Sequence, residues 1–235
     1  MKSHKKFKQP PKRFQPKGVT VLYEDHDILV VDKSSGLLTM STGKEGEKTA
    51  YSLLTDYVRK GNSKSKNRLF IVHRLDKETS GVLVFAKTEK AKRSLQDHWQ
   101  SFEKKYSAVV LGRLSQKEGI ITSYLAENSI HKMYSVSNPD NGALAKTGYK
   151  VLNESKHYSM LEIDLLTGKK NQIRAHFSEQ SHPVAGDKKY GRKQKGIKRL
   201  TLHAASLTLV HPHTKKQMTF EAKIPGYFYS LLTND

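Results

Sequence analysis

Apolar residues fall in short runs separated by polar turns, and their spacing alternates between a period of two and a period near 3.6. Val19–Tyr23 and Ile28–Lys33 read as strands around an acidic turn, Glu24–Asp27, with a second turn at Ser34–Gly36. Thr49 is placed to cap a helix over Ala50–Lys60, whose Ala50, Leu53, Leu54, Tyr57 and Val58 form one stripe. A basic connection, Gly61–Arg68, leads to the apolar runs Leu69–Val72 and Val82–Ala86. Thr88, with Glu89 behind it, starts a helix predicted to reach Phe102. Further strands are predicted at Tyr106–Leu111, Ile120–Leu125, Lys146–Leu152 and Tyr158–Leu166. In the last, Leu161, Ile163 and Leu165 alternate with acids, as on a half-buried strand. A helix from Asn171 to about Gln180 turns Ile173 and Phe177 inward and stops at His182-Pro183. Leu200–Val210 and Gln217–Ala222 complete the strands.

Strands dominate and helices interrupt them irregularly. The pattern is that of an α+β protein and not of a regular βαβ repeat. No internal repeat and no long linker divides the body, so residues 19–235 are expected to form one domain. One stretch stands out. Between Leu69–Val72 and Val82–Ala86 lie His73, Arg74, Asp76, Lys77, Glu78, Thr79 and Ser80, closed by Gly81. Loops this polar on a rigid scaffold are where chemistry tends to be placed.

Charge changes the picture more than composition does. There are 42 Lys and Arg against 22 Asp and Glu, a net charge of +20. Residues 1–18 carry +7 with no acid, leaving +13 on the body, and a body this basic points to nucleic acid. The Lys- and Pro-rich tail, residues 1–18, is expected to be disordered alone and to order on a phosphate backbone. The absence of cysteine removes disulfides, thiolate catalysis and Cys-based zinc sites. No apolar run approaches the roughly 20 residues of a bilayer span, and no apolar signal core follows the basic N-terminus. A cytoplasmic monomer with no membrane association is expected.

Several familiar signals fail. His73-Arg74-Leu75-Asp76 has neither the residue order nor the companion motifs of a kinase catalytic loop. Thr167-Gly168-Lys169-Lys170 is a fragment of a phosphate loop. Eleven histidines include the close pair of His211-Pro212-His213, yet no metal-ligand spacing appears, and no metal is expected. What remains is Asp76 in its turn, Tyr106 at a strand start behind Lys104 and Lys105, and Arg174 on a helix. Singly, each has an ordinary structural reading: a turn carboxylate, a core-edge aromatic, and a surface or phosphate-binding cation.

Together with their surroundings they form a pattern. His73–Gly81, HRLDKETSG, resembles the HRLDxxTSG signature of the RluA-type pseudouridine synthases. Glu103–Ala108 (EKKYSA) is similar to that family's K-x-Y-x-A segment, Leu166–His176 (LTGKKNQIRAH) to its L-x-TGR-x-HQIR-x-H segment, and His182–Gly191 (HPVAGDKKYG) to its G-x-PI-x-GD-x-x-YG segment. Leu202–Pro212 (LHAASLTLVHP) resembles the closing LHA-x-x-L-x-x-x-HP, so five segments follow in family order. Among the departures, Ser34 replaces the proline of an early N-K-P-x-G turn, Lys169 replaces an arginine, and Asn171 replaces a histidine. The short form without an S4-type domain is the branch most resembled.

The resemblance implies a pseudouridine synthase fold, a mixed, mainly antiparallel sheet with flanking helices and a central RNA-binding cleft, and isomerisation of uridine in RNA. The C1′–N1 bond breaks, the uracil turns and C5 joins C1′. No atoms or electrons are gained, so no cofactor is called for. It implies Asp76 as the catalytic carboxylate, Arg174 as its partner and Tyr106 as the aromatic on the target base. Arg74 becomes the side chain that fills the gap left by a flipped nucleotide, and further RNA contacts are expected at His73, Lys33, Lys169, Lys170, Gln172, Lys188 and Lys189. The partner is expected to be a ribosomal or transfer RNA stem-loop. The competing class is a non-catalytic RNA-binding or ribosome-assembly protein on the same fold. A DNA-binding protein is disfavoured by the lack of a reading helix.

Overall fold

The computed structural model describes residues 9–62, 64–192, 194 and 196–233. It divides into two compact units that interleave in sequence: Met1–Trp99 with Thr208–Ala222, and Gln100–Leu207 with Lys223–Asp235. Each unit is built from two separate stretches, so the sequence offers no single linker at which to see the division.

In the first unit, β1 (Val19–Glu24) and β2 (Ile28–Lys33) form an antiparallel hairpin, with Val19 opposite Lys33 and Glu24 opposite Leu29. The acidic turn is an Asx turn: Asp25 Oδ1 accepts the N–H groups of Asp27 and Ile28 at 2.8 and 2.9 Å. Helix α1 (Ala50–Arg59) starts in a capping box between Thr49 and Ser52 and stops at Lys60, whose φ of 53° is left-handed. β3 (Phe70–Ile71) and β4 (Ser80–Ala86) follow, β4 antiparallel to β2 with Lys33 opposite Gly81. All seven residues of β4 are buried, which explains a continuous apolar run in place of alternation. Helix α2 (Glu89–Asp97) is capped by Thr88 as expected. It ends five residues short of Phe102, giving way to a 3₁₀ turn, Trp99–Ser101, and the Trp99 ring stacks on His73 at 4.2 Å. That contact lies between distant residues and leaves no mark in local periodicity.

The second unit is built on antiparallel pairs: β5 (Glu103–Leu111) with β9 (Tyr158–Leu165), β9 with β8 (Ala143–Glu154), β8 with β6 (Glu118–Glu127), and β6 with β7 (Met133–Val136). Helix α3 (Gln172–Glu179) sets Ile173 and Phe177 into a core of Ala108, Val110, Leu161 and Ile163. β10 (Leu202–Val210) starts in this unit and ends in the first, where it leads to β11 (Gln217–Glu221). A last helix, α4 (Gly226–Thr233), buries Phe228 against Val109 and Ala185. Among the described residues, no helix is long and apolar enough to cross a membrane.

The basic tail is only partly in view. Met1–Lys8 lie outside the described residues. Nearer the body, the segment expected to be disordered contains a 3₁₀ turn at Lys12–Phe14, and Gln15 ties it down by donating to Pro10 O at 2.7 Å and accepting from Val21 N at 2.8 Å.

Candidate active site

The polar turn of the first unit is held from one side by the segment after β2. The Lys33 side chain is fully buried, and its ammonium donates to the carbonyls of Ser34 (3.0 Å), Leu37 (2.8 Å) and Lys77 (3.3 Å). Gly36 N donates to Lys77 O at 2.8 Å, and Ser35 Oγ to Glu78 O at 2.7 Å. Thr39 Oγ1 donates to Leu75 O and accepts from Leu75 N, at 2.8 and 3.1 Å. The backbone on both sides of Asp76 is thus fastened, and Thr79 N closes the turn on Asp76 O at 3.1 Å. Asp76 is half-buried in this frame, with Arg74 exposed beside it.

Two residues expected on RNA have other duties here. Lys33 has no exposed surface and acts as a fastener of the turn. His73 accepts the N–H of Val84 at its Nε2 (3.1 Å) and lies against Trp99, so the imidazole anchors the turn to β4.

In the second unit, the period of two places Lys104 and Tyr106 on one face of β5 and Lys105 on the other. Tyr106 is half-buried opposite Ile163 and packs on the core. Lys104 is buried, and desolvation pushes its ammonium pKa down. Lys105 is held above its usual value by its hydrogen bond to Glu162 at 3.0 Å.

Arg174 is nearly buried on α3, and its guanidinium makes a forked pair with Asp187: Nε to Oδ2 at 2.7 Å and Nη2 to Oδ1 at 2.8 Å. Asp187 Oδ1 also accepts the backbone N–H of Lys189 and of Tyr190, both at 2.9 Å. Burial alone would raise the Asp187 pKa; the Arg174 hydrogen bonds and charge, with the two amides, outweigh it and hold the carboxyl below its ordinary value. The Tyr190 ring lies 5.2 Å from the guanidinium carbon, and its hydroxyl accepts from Met133 N at 2.8 Å. Asp187 was not among the residues singled out from sequence. Its signal was the G-D-x-x-Y-G spacing, noted there only as a likeness.

The Lys169–Gln172 turn divides its expected RNA contacts. Gln172 is 2% exposed. Its Oε1 accepts from Thr167 Oγ1 (2.7 Å) and Lys169 N (3.0 Å), and its Nε2 donates to Lys146 O and Thr147 Oγ1, both at 2.9 Å. Its amide organises the turn. Lys169, Lys170, Lys188 and Lys189 are exposed. Lys170 pairs with Glu127 near the end of β6, and Lys189 Nζ donates to His131 O at 2.6 Å, so these two turns meet the β6–β7 connection. Asn171, in place of the family's histidine, has a φ of 50°, a conformation in which Asn, Asp and His are enriched.

His211 belongs to a group with Asp25 and Asp27 whose ligand atoms lie within 4.8 Å of one another. Its Nε2 meets Asp25 Oδ2 at 2.8 Å, while its Nδ1 accepts the N–H groups of His213 and Thr214 at 3.2 and 3.1 Å. Asp25 is also engaged by Tyr23 at 3.0 Å; burial first, then this bond, pushes the phenol up to about 12. Both ring nitrogens are spent on protein partners, which makes this a turn fastener and a poor ligand set.

The model of the family described as RNA pseudouridylate synthase matches residues 27–179. The chain belongs to this family. It is 33% identical over 223 residues to ribosomal large subunit pseudouridine synthase D of Nitrosomonas europaea, covering 90% of this chain and 64% of that protein. It is 34% identical over 241 residues to an uncharacterized RNA pseudouridine synthase of Mycoplasma pneumoniae, covering 99% of this chain and 76% of the relative. Human RNA pseudouridylate synthase domain containing 4 superposes with a TM-score of 0.75 at 25% identity, covering 91% of each chain. The pseudouridine synthase fold expected from the five motifs is therefore the fold of this chain, and the enzyme class of its relatives is RNA pseudouridine synthase.

Proposed function

We propose that this protein converts uridine to pseudouridine at defined positions of a structured ribosomal or transfer RNA, with Asp76 as the catalytic carboxylate. The observation that carries the reading is the fastening of the Asp76 turn through Leu75, Lys77 and Glu78. A group that must meet one ribose in one orientation gains its rate from being held before substrate arrives. The family resemblance supplies the other roles. Arg174 is the partner that the resemblance implies for Asp76, and Tyr106 packs on the target base. Arg74, exposed beside the carboxylate, fills the space left in the RNA. Extracting a uridine from its stack costs a few kcal/mol, which phosphate contacts must offset. Lys169, Lys170, Lys188 and Lys189, gathered by two turns at the β6–β7 connection, are suited to this. Binding through them falls steeply with salt.

The test is a map of pseudouridines in total RNA from cells with and without the gene. One or a few uridines in ribosomal or transfer RNA should lose the modification and regain it on complementation. An unchanged map contradicts the proposed activity.

A further inference from the structure

We propose that Asp187 is a positioning residue that sets which edge of Arg174 does the work. The inference rests on the reading of Arg174 as a participant in the reaction.

A guanidinium presents five N–H groups in one rigid plane. The Asp187 carboxylate takes the side formed by Nε and Nη2, at 2.7 and 2.8 Å. This fork fixes the plane as well as the position, which a single contact does not. The Tyr190 ring stands 5.2 Å from Cζ. With Nε and Nη2 held by the carboxylate and an aromatic ring at hand, the fork turns the Nη1 edge away from Asp187, and it is this edge that acts. Rotation about the last bonds of Arg174 would break two charge-assisted bonds inside a site where Asp187 is 1% and Arg174 8% exposed.

Asp187 is itself immobilised. Its Oδ1 accepts two backbone amides of the following turn, from Lys189 and Tyr190. Gly186 before it has a φ of +77°, and a Cβ there would lie 2.2 Å from Arg199 O. A Cβ on Gly191 would lie 2.9 Å from Asp187 O, and the Gly191 N–H donates to that oxygen at 3.1 Å. The G-D-x-x-Y-G segment is therefore a holder: its glycines admit the turn, the turn fixes Asp187, and Asp187 fixes the guanidinium.

The experiment measures single-turnover tritium release from [5-³H]uridine-labelled total RNA of cells lacking the gene, alongside filter binding of the same RNA and thermal melting. Asp187→Asn, Arg174→Ala and the double variant form a cycle. Asp187→Asn is expected to lower the rate about 100-fold, as misplacement of an active group by about 1 Å does. Its RNA affinity should stay within about threefold of wild type. In the Arg174→Ala background the same change should cost less than about threefold, because its target is gone. Should loss of the buried charge unfold Asp187→Asn, Asp187→Glu keeps the charge and displaces the guanidinium by one methylene. Its melting temperature should recover toward wild type while its rate stays at least about tenfold down. A purely structural role would restore rate and melting temperature together, and would multiply with Arg174→Ala. Either result overturns the inference, as does a near-normal rate for Asp187→Asn beside an impaired Arg174→Ala. A near-normal rate for Arg174→Ala instead overturns the reading beneath it, that Arg174 takes part in the reaction.

Discussion

Lys33, Gln172 and Arg174 are all polar residues beside motif turns, and in a basic chain each invites the same reading as an RNA contact. Burial separates them. The ammonium of Lys33 is spent on three carbonyls, the amide of Gln172 on two groups of its own turn and two of β8, and two N–H groups of Arg174 on Asp187. A sequence shows residue type but not burial, so Lys33 and Gln172 could not be told from the exposed Lys169 and Lys188. His176 shows the same limit and gives a prediction. It is fully buried, with Nδ1 meeting Thr147 Oγ1 at 2.9 Å and Nε2 meeting Ser123 Oγ at 3.1 Å. Desolvation pushes its pKa below the usual 6.5, against a smaller opposite pull from Glu179. The unfolded chain therefore takes up a proton before the folded one. Its stabilising contribution is whole above pH 6.5 and is lost as pH falls through the folded value. In urea titrations, His176→Gln should flatten the decline of stability below pH 6.5 relative to wild type. An identical decline in both proteins would assign that titration to other groups.

At the level of elements, most strands were legible because one face is buried and the other wet, as on β9. Helices α1 and α2 were legible from their Thr caps and, for α1, its apolar stripe. The exceptions have physical causes. β7 is short and flanked by polar residues, and α4 follows Pro225 with apolar residues nearly all round, so neither shows a clean period. The turn after β2 is the most instructive element. The proline of the family pattern is Ser34 here, whose N–H and Oγ–H both donate to Gly18 O, at 2.9 and 2.8 Å. Proline could make neither bond, so the departure exchanges a rigid ring for two hydrogen bonds at the same corner. Next to it, Lys33 joins this turn to the Asp76 turn. Lys33→Met keeps the length of the side chain and removes its donors. Leaving buried carbonyls short of a partner should lower unfolding stability by about 1–3 kcal/mol. It should also lower turnover while RNA affinity stays close to wild type. Reduced affinity at full turnover would instead return Lys33 to the RNA-contact class.

For the whole molecule, charge and motif order were informative, and three-dimensional grouping was not. A net charge of +20 with +13 outside residues 1–18 pointed to a polyanion, and five motifs in order pointed to one family. The two interleaved units were hidden because the chain enters each of them twice. Asp187 was hidden because a carboxylate in a lysine-rich loop gives no hint that it is buried on an arginine thirteen residues earlier. Asp76, the proposed catalytic carboxylate, sits in a turn fastened on both sides by hydrogen bonds that no RNA is needed to form. The most direct test of that role is single-turnover conversion by Asp76→Asn of the RNA identified by the pseudouridine map, with affinity measured in parallel. Pseudouridine formation should vanish while the dissociation constant stays within about threefold of wild type. Conversion at a rate near that of wild type would contradict the assignment.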